Sequence, residues 1–432
     1  MAQQDPARAR EFAKEVVRAL HAAGFEAYWA GGCVRDQLMG RQPEDYDVAT
    51  NALPEQIRSV FGTRRTFSVG ASFGVITVLG PPGAGQIDTA TFRRDAAYSD
   101  GRHPDHVTYS TAEDDAQRRD FTINGLFFDP LSGKVLDYVG GLRDLEQRTI
   151  RAIGDPHARI GEDKLRMLRA ARFAAAFEFE IDGETLAAIQ AHAGEITLVS
   201  GERIAEELRR MLVHGRRQRA VELLQQLKLL PAILPELESL RQSEGASPGS
   251  WELIWDRTLR ILDALESPTF AAALAALVRE IYLAAGCDAS AVARIGRRWR
   301  LSNGEVRGAT DCLAREGPLR EAQQLPWPRL QRLLIAPGID EQLTYAAAAA
   351  RVIDQDSSPI DYCRQKLALP RAAWDPAPLV TGHDLRDLGI PPGPIYREIL
   401  DRVRDAQLDR AIETRDQGLS LARTLWAARP VP

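Results

Sequence analysis

The stretch Ala30–Thr50, AGGCVRDQLMGRQPEDYDVAT, holds a glycine pair at Gly31 and Gly32, a cation at Arg35, and two carboxylates, Asp45 and Asp47, separated by one residue. Tyr46 and Val48 give its end a strand-like composition, and side chains two apart on a strand face the same way. Two strand steps set the roots of the carboxylates about 7 Å apart. Their oxygens can then share a pair of Mg²⁺ ions, because Mg²⁺ takes oxygen ligands and commonly uses one or two carboxylates with substrate phosphates. The glycines and Arg35 would hold those phosphates. The combination reads as a nucleotidyl-transfer site. Taken singly, a D-x-D is commonly a solvated turn and a glycine pair a bend; their order within one short stretch is what points to transfer chemistry. Neither the G-K-[ST] ending of a Walker-A loop nor the spacing of a dinucleotide fingerprint is present.

Outward from this stretch, the 432 residues allow two to four domains. A composition of 44% hydrophobic and 27% charged residues suits an ordinary globular core. No apolar run is long enough for a transmembrane helix, so no membrane association is expected. Phe12, Val16, Val17 and Leu20 recur at helical spacing near the N-terminus, with Asp5, Glu11 and Glu15 among the basic residues. That pattern suits an amphipathic helix on a core better than a signal or transit peptide. The cysteines, Cys33, Cys287, Cys312 and Cys363, form no C-x-x-C pair, which argues against zinc and a disulfide scaffold and fits a cytoplasmic protein. A net charge of −5 does not advertise nucleic-acid binding. Basic residues nevertheless cluster at Arg118-Arg119, at Arg209-Arg210 with Arg216, Arg217 and Arg219, and at Arg294, Arg297, Arg298 and Arg300. Each cluster is either a solvated helix face or a contact for an anionic partner.

Short β-rich runs and turns alternate over residues 26–92. Strands are expected at 26–30, 46–49, 74–79 and 86–92, with helices at 34–38 and 54–61 and a turn over Gly80-Pro-Pro-Gly-Ala-Gly85. These make a small mixed sheet with helices on one side. Asp88 is either a third carboxylate for the metals or an ordinary edge-strand residue. Residues 95–117 read as a long polar loop, a length that is usually functional or disordered. His103 and His106 within it lack a third ligand nearby, which disfavours a metal role. The loop ends at RRDFTING (118–125), and the sheet domain closes near Gly140-Gly141.

Helical pattern takes over from Pro156. In IGEDKLRMLRAARFAAAF, Asp163, Arg166, Arg169 and Arg172 fall at steps of three, each about 60° short of a full turn of one α-helix. The first three then share an arc of about 120°, while Arg172 comes out opposite Asp163. Asp163 and Arg166 can act together, as a site or as an i,i+3 surface ion pair. Further helices are expected at 201–213, at 220–229 and over 251–367, with a Gly/Pro/Ser linker at 243–250. Past Pro370, TGHDLRDLGIPPGP (381–394) reads as a compact turn before a final helical unit.

These pieces resemble the class II CCA-adding tRNA nucleotidyltransferases and their bacterial poly(A) polymerase relatives. The resemblance rests on GGCVRDQLMGRQPEDYDVAT, RRDFTING, GGLRDLEQRTIRAIGDP, EDKLRMLRAARF and SGERIAEELRRML in that order, and more weakly on TGHDLRDLGIPPGP. It implies an α+β protein: a polymerase-beta-like nucleotidyltransferase head with a small mixed sheet (1–150), then an all-α neck (151–215), body (216–368) and tail (369–432). The implied activity is Mg²⁺-dependent, template-independent addition of the 3′-terminal CCA of tRNA from CTP and ATP. Catalysis is expected in the head, base recognition in the neck, and the tRNA elbow in the grip of body and tail; no protein partner is implied.

Carried over by residue, the resemblance makes Asp45 and Asp47 the metal-binding carboxylates, Gly32 and Arg35 nucleotide contacts, and Arg119 a second triphosphate contact. Asp163 and Arg166 match the pair that reads the base, with Arg169 and Arg172 as further nucleotide-side contacts. Cytosine and adenine present an amino donor beside a ring-nitrogen acceptor, whereas uracil and guanine present the reverse, so a carboxylate beside a guanidinium accepts the first two and opposes the others. The loop at 95–117 is a candidate for the element that changes preference from C to A. Poly(A) polymerases, enzymes adding only CC or only A, and a catalytically silent RNA-binding relative are the alternatives. The aspartates here flank a tyrosine where many relatives carry an aliphatic residue; it faces away from the metals. The segment Arg64–Val78 looks more like the CCA adders than the polymerases.

Overall fold

The computed structural model describes residues 5–67, 74–95, 107–242 and 250–428. They divide into two compact units, 1–238 and 239–432.

The first unit opens with helix α1 (Pro6–Ala22). Asp5 caps it by accepting from the Ala7 and Arg8 amides, and Pro6, which has no amide hydrogen to leave unsatisfied, starts it. Phe12, Val16, Val17 and Leu20 form its buried stripe, as their spacing predicts. Strand β1 (Ala27–Ala30) leads into helix α2 (Gly32–Leu38), then β2 (Asp47–Thr50) and helix α3 (Pro54–Phe61). After β3 (Thr66–Phe67) come β4 (Val75–Leu79) and β5 (Gln86–Thr91), joined by the expected turn.

The segment expected to be a long loop is structured at both ends. Strands β6 (Arg93–Asp95) and β7 (Val107–Tyr109) pair antiparallel, and Thr111 caps helix α4 (Ala112–Gln117) through the Asp114 amide. Local hydrogen bonding thus replaces the missing apolar periodicity. His103 and His106 lie outside the described residues, as do part of the Arg64–Val78 segment and most of the 243–250 linker.

Strands β8 (Leu126–Asp129) and β9 (Lys134–Asp137) complete a seven-stranded sheet of order β3-β4-β5-β2-β1-β8-β9. Only β2 and β5 run parallel, which sets Asp47 opposite Asp88; the other neighbours are antiparallel. One face packs Trp29, Val48, Ile76 and Ile87 against α1 and α3. The other face is covered too, contrary to the one-sided expectation: Ala112 and Ala116 of α4 pack on Ala30, Ala49, Phe92 and Phe127. The small side chains let a six-residue helix sit close enough to seal that face.

Helix α5 (Gly141–Glu146) and strand β10 (Thr149–Ile150) lead to α6 (Pro156–Glu162), α7 (Arg166–Phe177), β11 (Glu180–Ile181), which pairs with β10, and α8 (Gly183–His192). Helices α9 (Gly201–Leu212) and α10 (Arg217–Gln226) follow; the latter starts three residues before the expected 220. Asp163 does not lie on the helix of Arg166, as the steps of three suggested. Its backbone is extended at the end of α6, and its Oδ1 accepts from the Leu165 amide at 3.0 Å. An aspartate that satisfies a local N–H favours a break over continuation.

The second unit is helical, as expected. A buried ion cluster ties Phe270–Ala284, Asn303–Arg320 and Ile339–Ile353 together: Arg279 donates to Glu316 at 2.7 Å, and the Tyr345 hydroxyl donates to the same carboxylate at 2.7 Å. At the C-terminal end, Leu385, Ile399 and Val403 centre a small core. TGHDLRD is not a turn there: Thr381 and Asp384 cap each other's backbone to start helix Gly382–Asp387.

Candidate active site

One cavity of about 500 Å³ in the first unit gathers the metal-binding and nucleotide-contacting residues that the resemblance implies, though not Asp88. Gly32, Arg35, Asp45 and Asp47 come from the opening stretch and Arg119 from the segment after α4. Asp163 and the α7 arginines Arg166, Arg169 and Arg172 face them across the opening. With Asp163 off the helix, the three arginines span a single arc of about 120°, so Arg172 joins the others and does not face away.

Asp45 precedes β2 and Asp47 begins it; the exposed, buried, exposed pattern of Asp45, Tyr46 and Asp47 puts both carboxylates on one side. Tyr46 turns inward and packs against Trp29 at 4.8 Å between ring centroids. Asp47 is reached by solvent but ringed by protein atoms. That partial desolvation, then the charges of Asp45 and Asp88, push its carboxyl up to about 6, while Arg119 pulls the other way. Two carboxylates held where their mutual repulsion is felt are a donor set that a dication relieves. Among the described residues no cluster of three or more His, Cys, Asp or Glu side chains is poised to hold a metal. A cation on Asp45 and Asp47 would therefore complete its shell with water and phosphate oxygens, which is the habit of Mg²⁺. Asp88 lies beside Asp47 across the parallel register, with its carboxylate accepting from the Thr77 hydroxyl at 2.6 Å.

The cationic wall is built by buried acceptors. Arg35 is buried; it donates to Asn124 Oδ1 at 2.6 Å and to Asp36 at 2.9 Å, and its guanidinium lies 4.5 Å from the Phe177 ring centre. Arg119 holds Asp115 at 3.0 Å and lies over Phe127. Asp115 also takes Arg118 at 2.7 Å; burial opposes its charge, but the two arginines keep its pKa below the usual carboxylate range. Gly31, at φ +73°, leaves room for this packing: a Cβ there would stand 2.7 Å from Arg119 Nη1.

On the opposite wall, Arg169 donates to Asp120, and Arg172 donates to the buried Glu207 at 2.6 Å. Asp163 accepts two bonds from Arg203, at 2.8 and 3.2 Å. Arg166 donates to Glu162 and to the Arg159 carbonyl, both at 2.6 Å. Asp163 and Arg166 thus line the same cavity without a side-chain bond to each other. Asp120, Asn124 and Phe173 also line the cavity and were given no role from the sequence, whereas Arg118 and Arg210, which line it too, were marked there only as members of basic clusters. Arg118, Asp120 and Asn124 sit in RRDFTING, so the motif held the signal; pairing with a helix some fifty residues away is not visible in it.

A family model described as "Poly A polymerase head domain" matches residues 27–151. Another, "Probable RNA and SrmB- binding site of polymerase A", matches residues 178–240. A CCA-adding enzyme of Enterococcus faecalis is 44% identical over 207 residues, 48% of this chain and 50% of that one, so the chain matches about half the length of that relative. A CCA-adding enzyme of Levilactobacillus brevis is 34% identical over 396 residues, 90% of this chain and 91% of the other. Among solved structures, the Bacillus stearothermophilus CCA-adding enzyme in complex with CTP superposes with a TM-score of 0.74 at 26% identity, over 98% of this chain and 99% of that one. A Thermotoga maritima CCA-adding enzyme complexed with tRNA shares the fold, with a TM-score of 0.62 at 20% identity over 96% and 95%. With this match along nine-tenths of both chains to the L. brevis enzyme, the protein belongs to the family of CCA-adding enzymes.

Proposed function

We propose that this protein builds or repairs the 3′-terminal CCA of tRNA, transferring CMP and AMP from CTP and ATP with release of pyrophosphate. The observation that carries the reading is the convergence of Asp45 and Asp47 with seven arginines and Asp163 on one cavity. Nucleotidyltransferases depend on divalent metal, and Asp45 and Asp47 would hold it, as Mg²⁺. Bound there, the metal supplies charge stabilisation at the α-phosphate and lowers the pKa of the attacking 3′-hydroxyl.

Residues of the chain supply position and charge. Arg35 and Arg119, each locked by a side-chain acceptor and an aromatic face, bracket the triphosphate, and Gly32 lets it approach the backbone. The RNA 3′-oxygen forms the new bond to the α-phosphorus as the bond to the pyrophosphate oxygen breaks, and the hydroxyl proton leaves to solvent. Asp163 accepts the exocyclic amino group of cytosine or adenine and Arg166 donates to the neighbouring ring nitrogen, which excludes uracil and guanine. Arg169 and Arg172 flank the nucleotide. We assign 1–150 to the catalytic head, 151–215 to the base-reading neck, 216–368 to the body and 369–432 to a tRNA-binding tail, working in the cytoplasm.

Single-nucleotide incorporation tests the reading. On a tRNA lacking CCA, CTP adds two residues and ATP then adds one; a tRNA lacking only the final A takes ATP alone. The double substitution of Asp45 and Asp47 by alanine stops both. Long A runs on an unrelated RNA would instead assign the chain to poly(A) synthesis, the reading that the name of the matched head model favours.

A further inference from the structure

Four polar side chains away from the nucleotide cavity form one run of contacts: His157 in the first turn of α6, His192 at the end of α8, Glu195 in the 3-10 turn Ala193–Leu198, and Lys164. His157 Nδ1 lies 3.2 Å from His192 Nε2, His192 Nδ1 lies 2.7 Å from Glu195 Oε1, and Lys164 Nζ donates to Glu195 Oε2 at 2.6 Å. None of the four lines the nucleotide cavity, and the proposed nucleotidyl transfer does not use them.

The proton positions in this run are set from its acidic end. Hydrogen bonds from Lys164 and then His192 hold the Glu195 carboxyl at about 2, so it is ionised and can only accept. His192 must then donate through Nδ1. In the neutral ring its Nε2 carries a lone pair, which faces His157. A carboxylate that fixes the far nitrogen of an imidazole is the arrangement that orients histidine ligands on metals. His157 reaches the same point from a different helix. The ring centres stand 5.3 Å apart with planes at 67°, so the two rings meet by their nitrogen edges and are not stacked.

The spacing suits an ion between them. Two nitrogens each about 2.0–2.1 Å from a tetrahedral ion lie roughly 3.3–3.4 Å from each other. The observed 3.2 Å is close to that and at the long end of hydrogen-bond distances. An ion can enter once the His157 proton moves to the other nitrogen of its ring. Imidazole nitrogen suits borderline transition cations, whereas carboxylate and phosphate oxygens suit Mg²⁺. Among the described residues no group of three His, Cys, Asp or Glu side chains surrounds one ion, so water fills the remaining positions and the ion exchanges.

We propose that His157 and His192 form a bis-imidazole site for Zn²⁺, oriented by Glu195 and separate from Asp45 and Asp47. The ion clamps α6 to α8. Asp163 ends α6, so the clamp steadies the helix that leads into the nucleotide cavity. The site stands independently of the proposed function.

Titration calorimetry of the full chain with ZnCl₂ in excess Mg²⁺ tests it, beside thermal melts with and without Zn²⁺. The parent is expected to bind Zn²⁺ and to melt at a higher temperature with it. His157→Ala and His192→Ala are each expected to weaken binding tenfold or more and to remove the rise in melting temperature, and Glu195→Gln to weaken binding roughly tenfold. The double variant Asp45→Ala, Asp47→Ala is expected to bind as the parent does. Melts without metal confirm that the variants fold, and the exposed His157→Ala decides if His192→Ala does not fold. A loss of less than tenfold in His157→Ala, or no Zn²⁺ binding by the parent, overturns the site. Loss of binding in the double aspartate variant assigns the ion to the carboxylates and overturns it as well.

Discussion

Arg169 on α7 donates through Nε to Asp120 at 2.8 Å, joining the helix to the segment that follows α4. Asp120 also accepts from Asn124 Nδ2 at 3.0 Å, and Asn124 in turn accepts from Arg35. This chain of contacts sets the two walls of the nucleotide cavity against each other. Burial would raise the Asp120 carboxyl, but the charge of Arg169 and the hydrogen bonds from Asn124, Arg169 and the Phe121 amide outweigh it and hold it at about 2.

A pH dependence follows with a definite sign. The folded pKa lies below the ordinary aspartate value of about 3.9, so the contribution to stability is complete above that pH and is lost as the pH falls toward 2. Its size is on the order of 2 kcal/mol. Melting temperatures between pH 6 and 2.5 are expected to fall less steeply below pH 4 for Asp120→Asn than for the parent chain, and the variant is expected to be less stable at neutral pH.

Asp163→Ala is expected to relax base selection. Removing the carboxylate leaves Arg203 without the two bonds it makes there, and the proposed amino acceptor is gone. At about 1–3 kcal/mol for each lost polar match, the preference for CTP over UTP should drop tenfold or more. Competition assays with paired nucleotides measure this, and cation affinity at Asp45 and Asp47 should be unchanged. Retained selectivity would refute the base-reading role.

Gly31→Ala places a Cβ at a positive φ and within 2.7 Å of Arg119 Nη1. The backbone conformation, φ +73° with ψ −125°, costs a side chain on the order of 1–3 kcal/mol. The flexible guanidinium moves before the backbone does, so KM for CTP and ATP is expected to rise by more than the small loss in melting temperature would suggest. Nucleotide titrations of the parent and variant check it.

Glu316→Ala in the second unit leaves Arg279 buried without its main partner and removes the acceptor of the Tyr345 hydroxyl. Breaking a buried pair in this way costs about 3–5 kcal/mol. Chemical denaturation should show the loss in the midpoint, and replacing Arg279, Glu316 and Tyr345 together with apolar residues of similar volume should restore most of it.

Much of the head was legible because its elements are locally specified. The stripe of Phe12, Val16, Val17 and Leu20 marks a helix, the Pro54 start marks another, and the β-rich runs broken by glycine and proline mark the strands. Residues 107–117 were misread for want of periodicity: a three-residue strand and a six-residue helix bury too few side chains to show one. The steps of three from Asp163 misled differently. Spacing describes a helix only while the helix continues, and Asp163 ends α6 with an extended backbone and a side chain turned to the Leu165 amide.

By itself the sequence, read with the family resemblance, singled out the side chains proposed to carry the chemistry, namely Asp45, Asp47, Arg35, Arg119 and the α7 arginines. Tertiary structure alone decided how they are held: Asp115 on Arg119, Asp120 on Arg169, Glu207 on Arg172 and Arg203 on Asp163. Three of these four pairs join residues more than thirty positions apart, each made by long side chains without a repeating pattern. Sequence periodicity records which face of an element is buried, whereas such pairs depend on where two elements meet.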